Sequence, residues 1–200
     1  MAITINGSGT ITGISAGGLP DNCVTAADLA TTLDLSSNTV TLPSGTGGKI
    51  LQVVQTVKTG ATSTTNTNYE DISGMSVTIT PSSTSNKILI IPDLALSGPN
   101  GNIGYARLLR GSTAIYDGNS ASHNGLYGAY SGDAGAGSFI YGLNIVTRLF
   151  LDSPATTSAT TYKCQFKTKT GTFYLNRTYA TSGQYDIRTA SSLTAIEVAA

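Results

Sequence analysis

The sequence predicts an all-β protein, a β-sandwich or jelly roll preceded by an N-terminal extension. Charged residues make up only 11% of the chain, against about 25% in typical soluble domains, and Gly, Ser, Thr and Ala take their place. Threonine is β-branched, so its stiff side chain suits a pleated strand better than a helix. Eight or nine short apolar segments separated by Gly, Pro and Asn turns are typical of sandwiches and jelly rolls.

The chain divides by composition into residues 1–48 and residues 49–200. The first segment has too few apolar residues for a core of its own. It contains one expected short strand at 38–42 and ends in the Gly-rich stretch 44–48, which has the composition of a flexible linker. We therefore expect the segment to dock on another surface or to wrap around copies of itself.

One short helix is expected within this N-terminal segment. Residues 25–28, Thr-Ala-Ala-Asp, form a helix N-cap with an acidic residue three positions later, a capping box in which Asp replaces Glu. Leu29 and Leu33 then fall on one face. A helix this short is not stable alone in water, so a partner has to cover its leucines.

The second segment opens with three predicted strands. The first spans 49–58. Residues 75–80 alternate between Met, Val or Ile and Ser or Thr, which predicts a strand with one buried face. The run 87–91 is almost continuously apolar and is followed by Pro92, which predicts a central strand covered on both faces.

Further strands follow at the spacing of a β domain. Segments 105–109 and 113–116 flank Gly111 and predict a hairpin. One long strand is expected at 138–151.

The end of the chain continues this pattern. Residues 162–167 alternate between Tyr, Cys or Phe and Lys or Gln, which predicts that Cys164 is a small core residue. Gly171 turns the chain into a strand at 172–175. A last strand at 193–198 closes the domain.

Charge and cysteine content exclude several classes of partner. Eleven basic residues balance eleven acidic ones, which argues against duplex nucleic acid, whose affinity comes mostly from clustered Lys and Arg. A chain with so little charge is poorly protected against self-association, so we expect an oligomer. Cys23 and Cys164 lack the spacing of a zinc site. Residues 1–14 lack the pattern of a signal peptide, and no apolar run is long enough to span a membrane.

Candidate catalytic residues are few. His123, the only histidine, lies in a Gly-rich loop without a partner that would hold it as a general base. Asp93, Asp133 and Asp152 are the candidates for a glycosidase pair, but they fall at turn-like positions where Asp commonly caps. We expect no enzyme, no cofactor and no metal.

Two long loops, 117–137 and 176–190, carry tyrosines among small residues. Tyrosine offers a large, stiff and amphipathic contact area at low entropic cost, which is why binding loops use it. Long loops in compact domains are often functional. The candidate binding residues in these loops are Tyr127, Tyr130, Asp133, Arg177, Tyr179 and Tyr185.

Both ends of the chain resemble tail-fibre-type proteins of tailed bacteriophages. Residues 171–178 (GTFYLNRT) and 188–198 (RTASSLTAIEV) resemble a C-terminal end in which an NR(S/T) step and an R-x-x-SS-(L/I)-T-x-(I/M)-E-(I/V) ending recur. Residues 11–29 are similar to the opening of short fibre proteins of marine and cyanobacterial phages. Cys23 departs from that opening, because a small turn residue is expected there.

The resemblance implies a homotrimer in the virion tail, made in the host cytoplasm. It implies a head with a tumour-necrosis-factor-like jelly roll, which adsorbs to a host cell-surface glycan or protein. Residues 1–48 would attach to the phage tail, its baseplate or an adaptor protein and would assist trimerisation. The residues expected to make these N-terminal contacts are Ile11, Ile14, Leu19, Leu29 and Leu33.

The leading hypothesis is therefore an adhesin whose weak sites gain avidity from three copies. A purely structural decoration or adaptor protein of the virion fits the same composition. A polysaccharide-degrading tailspike is the third hypothesis, against which stands the lack of a repeated β-helix pattern. Tyr179 and Tyr185 have the alternative of packing between copies, and Arg177 that of pairing with Glu197.

Overall fold

The computed structural model describes residues 4–5, 11–12, 49–99, 101–118, 127–130, 141–181 and 186–200, with backbone alone for 4–5, 11–12 and 127–130. The chain divides into two compact units, Met1–Gly47 and Gly48–Ala200. In the first unit, β1 (Thr4–Ile5) pairs antiparallel with β2 (Ile11–Thr12). The predicted helix after residue 25 and the strand at 38–42 lie outside the described residues.

The described part of the second unit is built from β-strands. In chain order they are β3 (Ile50–Lys58), β4 (Thr62–Thr64), β5 (Glu70–Ile79), β6 (Lys87–Ser97), β7 (Ile103–Arg110), β8 (Thr113–Ile115), β9 (Tyr127–Tyr130), β10 (Asn144–Thr147), β11 (Phe150–Asp152), β12 (Thr160–Thr168), β13 (Phe173–Leu175) and β14 (Ser191–Val198). The prediction of an all-β protein is confirmed for this part of the chain.

The first sheet is centred on β6. One edge of β6 pairs with β14 and then β13, and the other edge pairs with β11 and then β10. Beyond β14 lies β3, and beyond β13 lies β4. All of these pairings are antiparallel.

The second sheet has the order β5-β12-β7. On the other edge of β7, β8 and β9 pair with successive parts of the strand, one after the other. The predicted hairpin is confirmed, because β7 and β8 are joined across Gly111, whose φ is 60°. A left-handed residue in a two-residue hairpin turn favours glycine.

The two sheets share one hydrophobic core, the arrangement of a β-sandwich. Alternate residues of β5, β12 and β14 point into it, which confirms the alternation seen in the sequence. Met75, Tyr162, Cys164 and Leu193 are fully buried there. Burial raises the pKa of the Cys164 thiol to about 12, so the thiol is a packing group, as predicted.

The central strand differs from its prediction in two ways. Only one face of β6 lies in the core; on its other face Leu89 and Ile91 are half-buried, whereas Ala95 and Ser97 are buried. The strand also continues through Pro92 to Ser97. Pro92 accepts a hydrogen bond from the Arg148 backbone at 3.2 Å. In a β-strand, the backbone N and O atoms of one residue point to the same edge. The nitrogen of Pro92, which carries no hydrogen, therefore faces the edge occupied by β10 and β11.

The long strand predicted at 138–151 is wrong for its described part. The chain forms two short strands, β10 and β11, with Arg148 and Leu149 between them. The break lies opposite Ile91 and Pro92 of β6, between the residues of β6 that pair with β10 and those that pair with β11. A proline that lacks a donor at this position interrupts the ladder, which explains the break.

Asp152 is a buried carboxylate with two side-chain partners. Arg110 donates to both of its oxygens at 2.9 and 2.8 Å, and the Tyr162 hydroxyl donates at 2.7 Å. Burial, and then the bond to Asp152, raise the pKa of Tyr162. This cluster joins β11 of the first sheet to β7 and β12 of the second.

Glu197 is a second buried carboxylate, near the end of β14. Its Oε1 accepts hydrogen bonds from the Ser82 backbone, the Ser82 hydroxyl and the Asn86 amide at 2.6–2.7 Å. Burial opposes ionisation, but these hydrogen bonds outweigh it and lower the pKa of Glu197. The last strand is thereby fastened to the connection between β5 and β6. The alternative pairing of Glu197 with Arg177 is wrong.

Candidate functional site: an apolar sheet face and an arginine pocket

The outward face of the first sheet is apolar across five strands. Val53 of β3 lies opposite Ile196 of β14, Ile196 lies opposite Leu89 of β6, and Leu89 lies opposite Leu151 of β11. Residues directly opposite in antiparallel strands lie on the same face. Val53 and Leu151 are 58% and 53% exposed. We call this surface the outer face; its apolar residues are Ile50, Val53, Val57, Leu89, Ile91, Ile145, Leu151, Ile196 and Val198.

The outward face of the second sheet is polar. Arg107 lies 4.1 Å over the ring of Tyr69, and Lys167 lies 4.6 Å from the same ring. Lys163 and Gln165 both donate to Asp71. Solvated charges and amides are the ordinary covering of an exposed sheet, so the outer face of the first sheet is the exceptional one.

Few charges interrupt the outer face. Lys87 lies at the start of the outward side of β6 and Asp93 lies near its middle, and they bond to Ser153 and Thr147 respectively. Their signs are opposite, so together they add no net charge. Contact between two copies of these apolar residues would therefore meet little electrostatic repulsion.

A sharp turn at Asn176 begins the second candidate surface. Asn176 has φ of 63°, a left-handed conformation that asparagine tolerates better than most residues. Its amide donates to the carbonyl of Lys58 at 2.6 Å, and its side-chain oxygen accepts from the Ser191 hydroxyl at 2.6 Å. The turn folds the chain back so that the Arg177 guanidinium lies 4.5 Å over the ring of Tyr174.

The loop after this turn is closed by backbone hydrogen bonds. Arg177 and Arg188 form an antiparallel bridge, and the Thr178 amide donates to the Ile187 carbonyl at 3.2 Å. The two arginines, on opposite arms of the loop, thus lie side by side.

Together with β4 and β13, these arginines line a pocket of about 120 Å³, which we call the arginine pocket. Its lining residues are Ala61, Thr62, Ser63, Tyr174, Arg177 and Arg188. Tyr174 is opposite Ser63, so both point to the outward side of the first sheet.

The arginine pocket carries a net positive charge. Arg177 donates from Nε and Nη2 to the carbonyls of Thr178 and Tyr179, which leaves its charge without a carboxylate among the described residues. Arg188 pairs with Asp186 through Nε and Nη2. In each guanidinium, Nη1 makes no hydrogen bond to a described residue, so each retains a donor for a ligand.

The predicted binding residues fall into separate places. Arg177 and Tyr179 lie together, with the Tyr179 ring 5.9 Å from that of Tyr174. Tyr127 and Tyr130 are the ends of β9, at the edge of the second sheet. Outside the described residues are Asp133, Tyr185 and His123, together with Ile14, Leu19, Leu29 and Leu33; Ile11 is described as backbone in β2.

The prediction that the candidate carboxylates lie at turns is wrong for Asp93 and Asp152. Asp93 and Asp152 lie within β6 and β11 rather than at turns. Asp93 is on the outward side of the first sheet, whereas Asp152 is buried on the core side. The sheet itself separates them, so they do not face one another as a catalytic pair.

Sequence reasoning missed the outer face and half of the arginine pocket. Residues 50–57 and 193–198 have apolar residues at both odd and even positions, which is a signal for strands covered on both faces. Tyr174 and Arg188 carried no local signal, since only the Asn176 turn brings them together.

No protein family and no curated protein matches this sequence. Within the described residues, no group of three or more His, Cys, Asp or Glu side chains could hold a metal ion. That part of the chain also contains no helix long and apolar enough to cross a membrane.

Proposed function

We propose that this protein is a tail-fibre-type adhesin of a tailed bacteriophage that works as a homotrimer. Residues 1–48 attach it to the virion tail, its baseplate or an adaptor protein, and residues 49–200 form the head that binds a host surface receptor. The observation that carries the proposal is the outer face, because an exposed apolar sheet face on a chain without net charge fits burial against further copies.

A jelly-roll head is part of this proposal. Its support is the strand order, in which successive long strands alternate between the sheets: β3 and β6 in the first, β5 and β7 in the second, then β10–β11, β12 and β14. Two antiparallel sheets between which the chain crosses repeatedly are the arrangement of a jelly roll. The phage context and the trimer rest on the resemblance of the two chain ends.

The size of the outer face decides how strong the contact is. Ile50, Val53, Val57, Ile145 and Leu151 are each more than half exposed, and burying such side chains contributes roughly 1 kcal/mol each. Two such faces together contribute on the order of 10 kcal/mol, which is similar to the roughly 4–15 kcal/mol that association costs. The outer face therefore supports a reversible contact, and residues 1–48 would supply the remainder.

The first test is the solution mass of the full chain by light scattering at several concentrations. We expect three protomers for the wild type. The double variant Val53→Lys/Leu151→Lys places two charges on the outer face and should be monomeric. Ser73→Lys, at an exposed position of β5 in the second sheet, is the matched control and should remain trimeric.

Each other result contradicts a part of the proposal. A wild-type monomer at all concentrations contradicts self-assembly, and a dimer contradicts the trimer. If the double variant keeps the wild-type mass, the outer face is covered by something other than a second copy, such as residues 1–48 of the same chain.

The receptor-binding role needs a separate test. The purified chain should compete with virions for host cells, and Tyr127→Ala/Tyr130→Ala should weaken that competition if β9 contributes. A chain that fails to compete favours the purely structural decoration or adaptor protein. Release of reducing ends from host polysaccharide would favour a tailspike instead.

A further inference from the structure

We propose that the arginine pocket binds the carboxylate of an acidic sugar. This inference names a ligand class for the head and rests on the proposed receptor-binding role. It uses a site on the first sheet that is distinct from β9 in the second sheet.

The pocket combines the groups that such a ligand needs. The free Nη1 donors of Arg177 and Arg188 come from neighbouring positions of the bridged loop, and a guanidinium recognises a carboxylate through paired hydrogen bonds. Ser63 brings a hydroxyl group, which has no hydrogen-bond partner among the described residues and suits a hydroxyl of a sugar.

Arg177 is arranged in advance for this role. Its Nε and Nη2 are held by two carbonyls, and its guanidinium lies 4.5 Å over the ring of Tyr174. The side chain therefore loses little additional freedom when a ligand binds. Backbone carbonyls orient the guanidinium but leave its full charge, so the site favours an anion over a neutral sugar.

The dimensions of the pocket restrict the ligand further. A volume of about 120 Å³ accommodates a carboxylate and the adjoining part of one sugar ring. The rest of an oligosaccharide would extend into solvent. Asp186 already forms an ion pair with Arg188, so the carboxylate of a ligand would compete with this internal carboxylate for the guanidinium. We therefore expect a weak single site, which three copies would reinforce.

The test is a titration of the full-length chain followed by amide chemical shifts in NMR spectra. The probes are sodium glucuronate, galacturonate and N-acetylneuraminate, with glucose as the neutral comparison and sodium sulfate as the simple anion. We expect at least one acidic sugar to bind with a Kd on the order of 1 mM, at least about tenfold more tightly than glucose or sulfate, and to shift amides around residues 61–63 and 174–178.

Two variants test the binding site with substitutions that should leave the fold intact. Arg188→Gln removes one cation and should weaken binding by about tenfold. Ser63→Asp adds a carboxylate at an exposed position of the pocket and should abolish binding, while it removes no contact of Arg177. Arg148→Gln is the matched control: among the described residues, this exposed side chain bonds only to the carbonyl of its neighbour Thr147, and the variant should bind as the wild type does.

Four results would overturn the proposal: no shift with any acidic sugar, equal affinity for glucose, equal affinity for sulfate, or unchanged binding by Ser63→Asp. The titration needs no cells or virions. A failure here leaves the competition for host cells untouched, and a failure of that competition leaves the titration interpretable.

Discussion

At the scale of single residues, the buried polar side chains have structural partners. Asp152 connects three strands through Arg110 and Tyr162, and Glu197 ties the last strand to the segment before β6. Removing one partner of such a group leaves the other desolvated, so the cost exceeds the worth of the bond itself. These residues therefore govern stability, whereas Arg177 and Arg188 line the pocket for which a ligand is proposed.

Replacement of Asp152 tests whether the buried carboxylate stabilises the folded protein. Asp152→Asn should lower the free energy of unfolding by about 2–3 kcal/mol, because the buried side chain loses its charge opposite Arg110. Asp71→Asn is the matched control: its side chain is 52% exposed, so loss of the pair with Lys163 should cost less than about 1 kcal/mol. Urea unfolding of both variants provides the comparison, and equal losses would contradict the interpretation.

Glu197 should make stability depend on pH. Its pKa is lower in the folded than in the unfolded chain, so ionised Glu197 contributes stability above the unfolded pKa of about 4.3. That contribution is lost as pH falls through the lower folded value. Melting temperatures of the wild type and Glu197→Gln should therefore converge on acidification. Parallel curves down to pH 2 would show that the carboxylate charge is not what Asn86 and Ser82 stabilise.

At the scale of secondary-structure elements, β7 of the second sheet packs tightly against β13 of the first at one position. A Cβ atom on Gly104 of β7 would lie 2.2 Å from the ring of Phe173 in β13. Gly104 therefore makes room for an aromatic ring that is itself buried. The glycine serves close packing here, since its φ is not in the left-handed region.

Gly104→Ala should consequently destabilise the protein by about 1–3 kcal/mol through overpacking. Gly60→Ala is the control, because nothing lies within 4 Å of a Cβ atom placed there. Adding Phe173→Leu to Gly104→Ala should cost less than the sum of the two single changes, because a smaller side chain relieves the contact. Strict additivity in thermal or urea unfolding would rule out this steric account.

At the scale of the whole molecule, the two exposed faces of the sandwich differ in chemistry. Arg107, Lys163 and Lys167 cover the second sheet, and aliphatic side chains cover the first. The second unit thus has one polar and one apolar outer surface. This asymmetry shows how a chain with 11% charged residues can present one solvated side and one apolar side.

An oligomer formed through the outer face should be stabilised by mass action. The wild-type melting temperature should rise with protein concentration, because a hundredfold change in the concentration of a binding partner is worth about 2.7 kcal/mol. Val53→Lys/Leu151→Lys should melt at one temperature at all concentrations. Scanning calorimetry over this range is the measurement, and a concentration-independent wild type would argue against assembly through this face.

The period-2 patterns at 75–79 and 162–167 determined two strands and their buried sides from the sequence alone. The turns at Gly111 and Gly171, both with positive φ, were determined in the same way. These features are local: alternation and glycine preference act between residues that are neighbours in the chain.

Only the tertiary structure decided which strands are neighbours. It placed β14 between β3 and β6, broke the predicted long strand opposite Pro92, and joined Arg177 to Arg188 beside Ser63. Pairing across more than a hundred residues depends on how two sheets bury a common core. The outer face and the arginine pocket are each built from distant segments. For that reason they could be identified only from the tertiary structure.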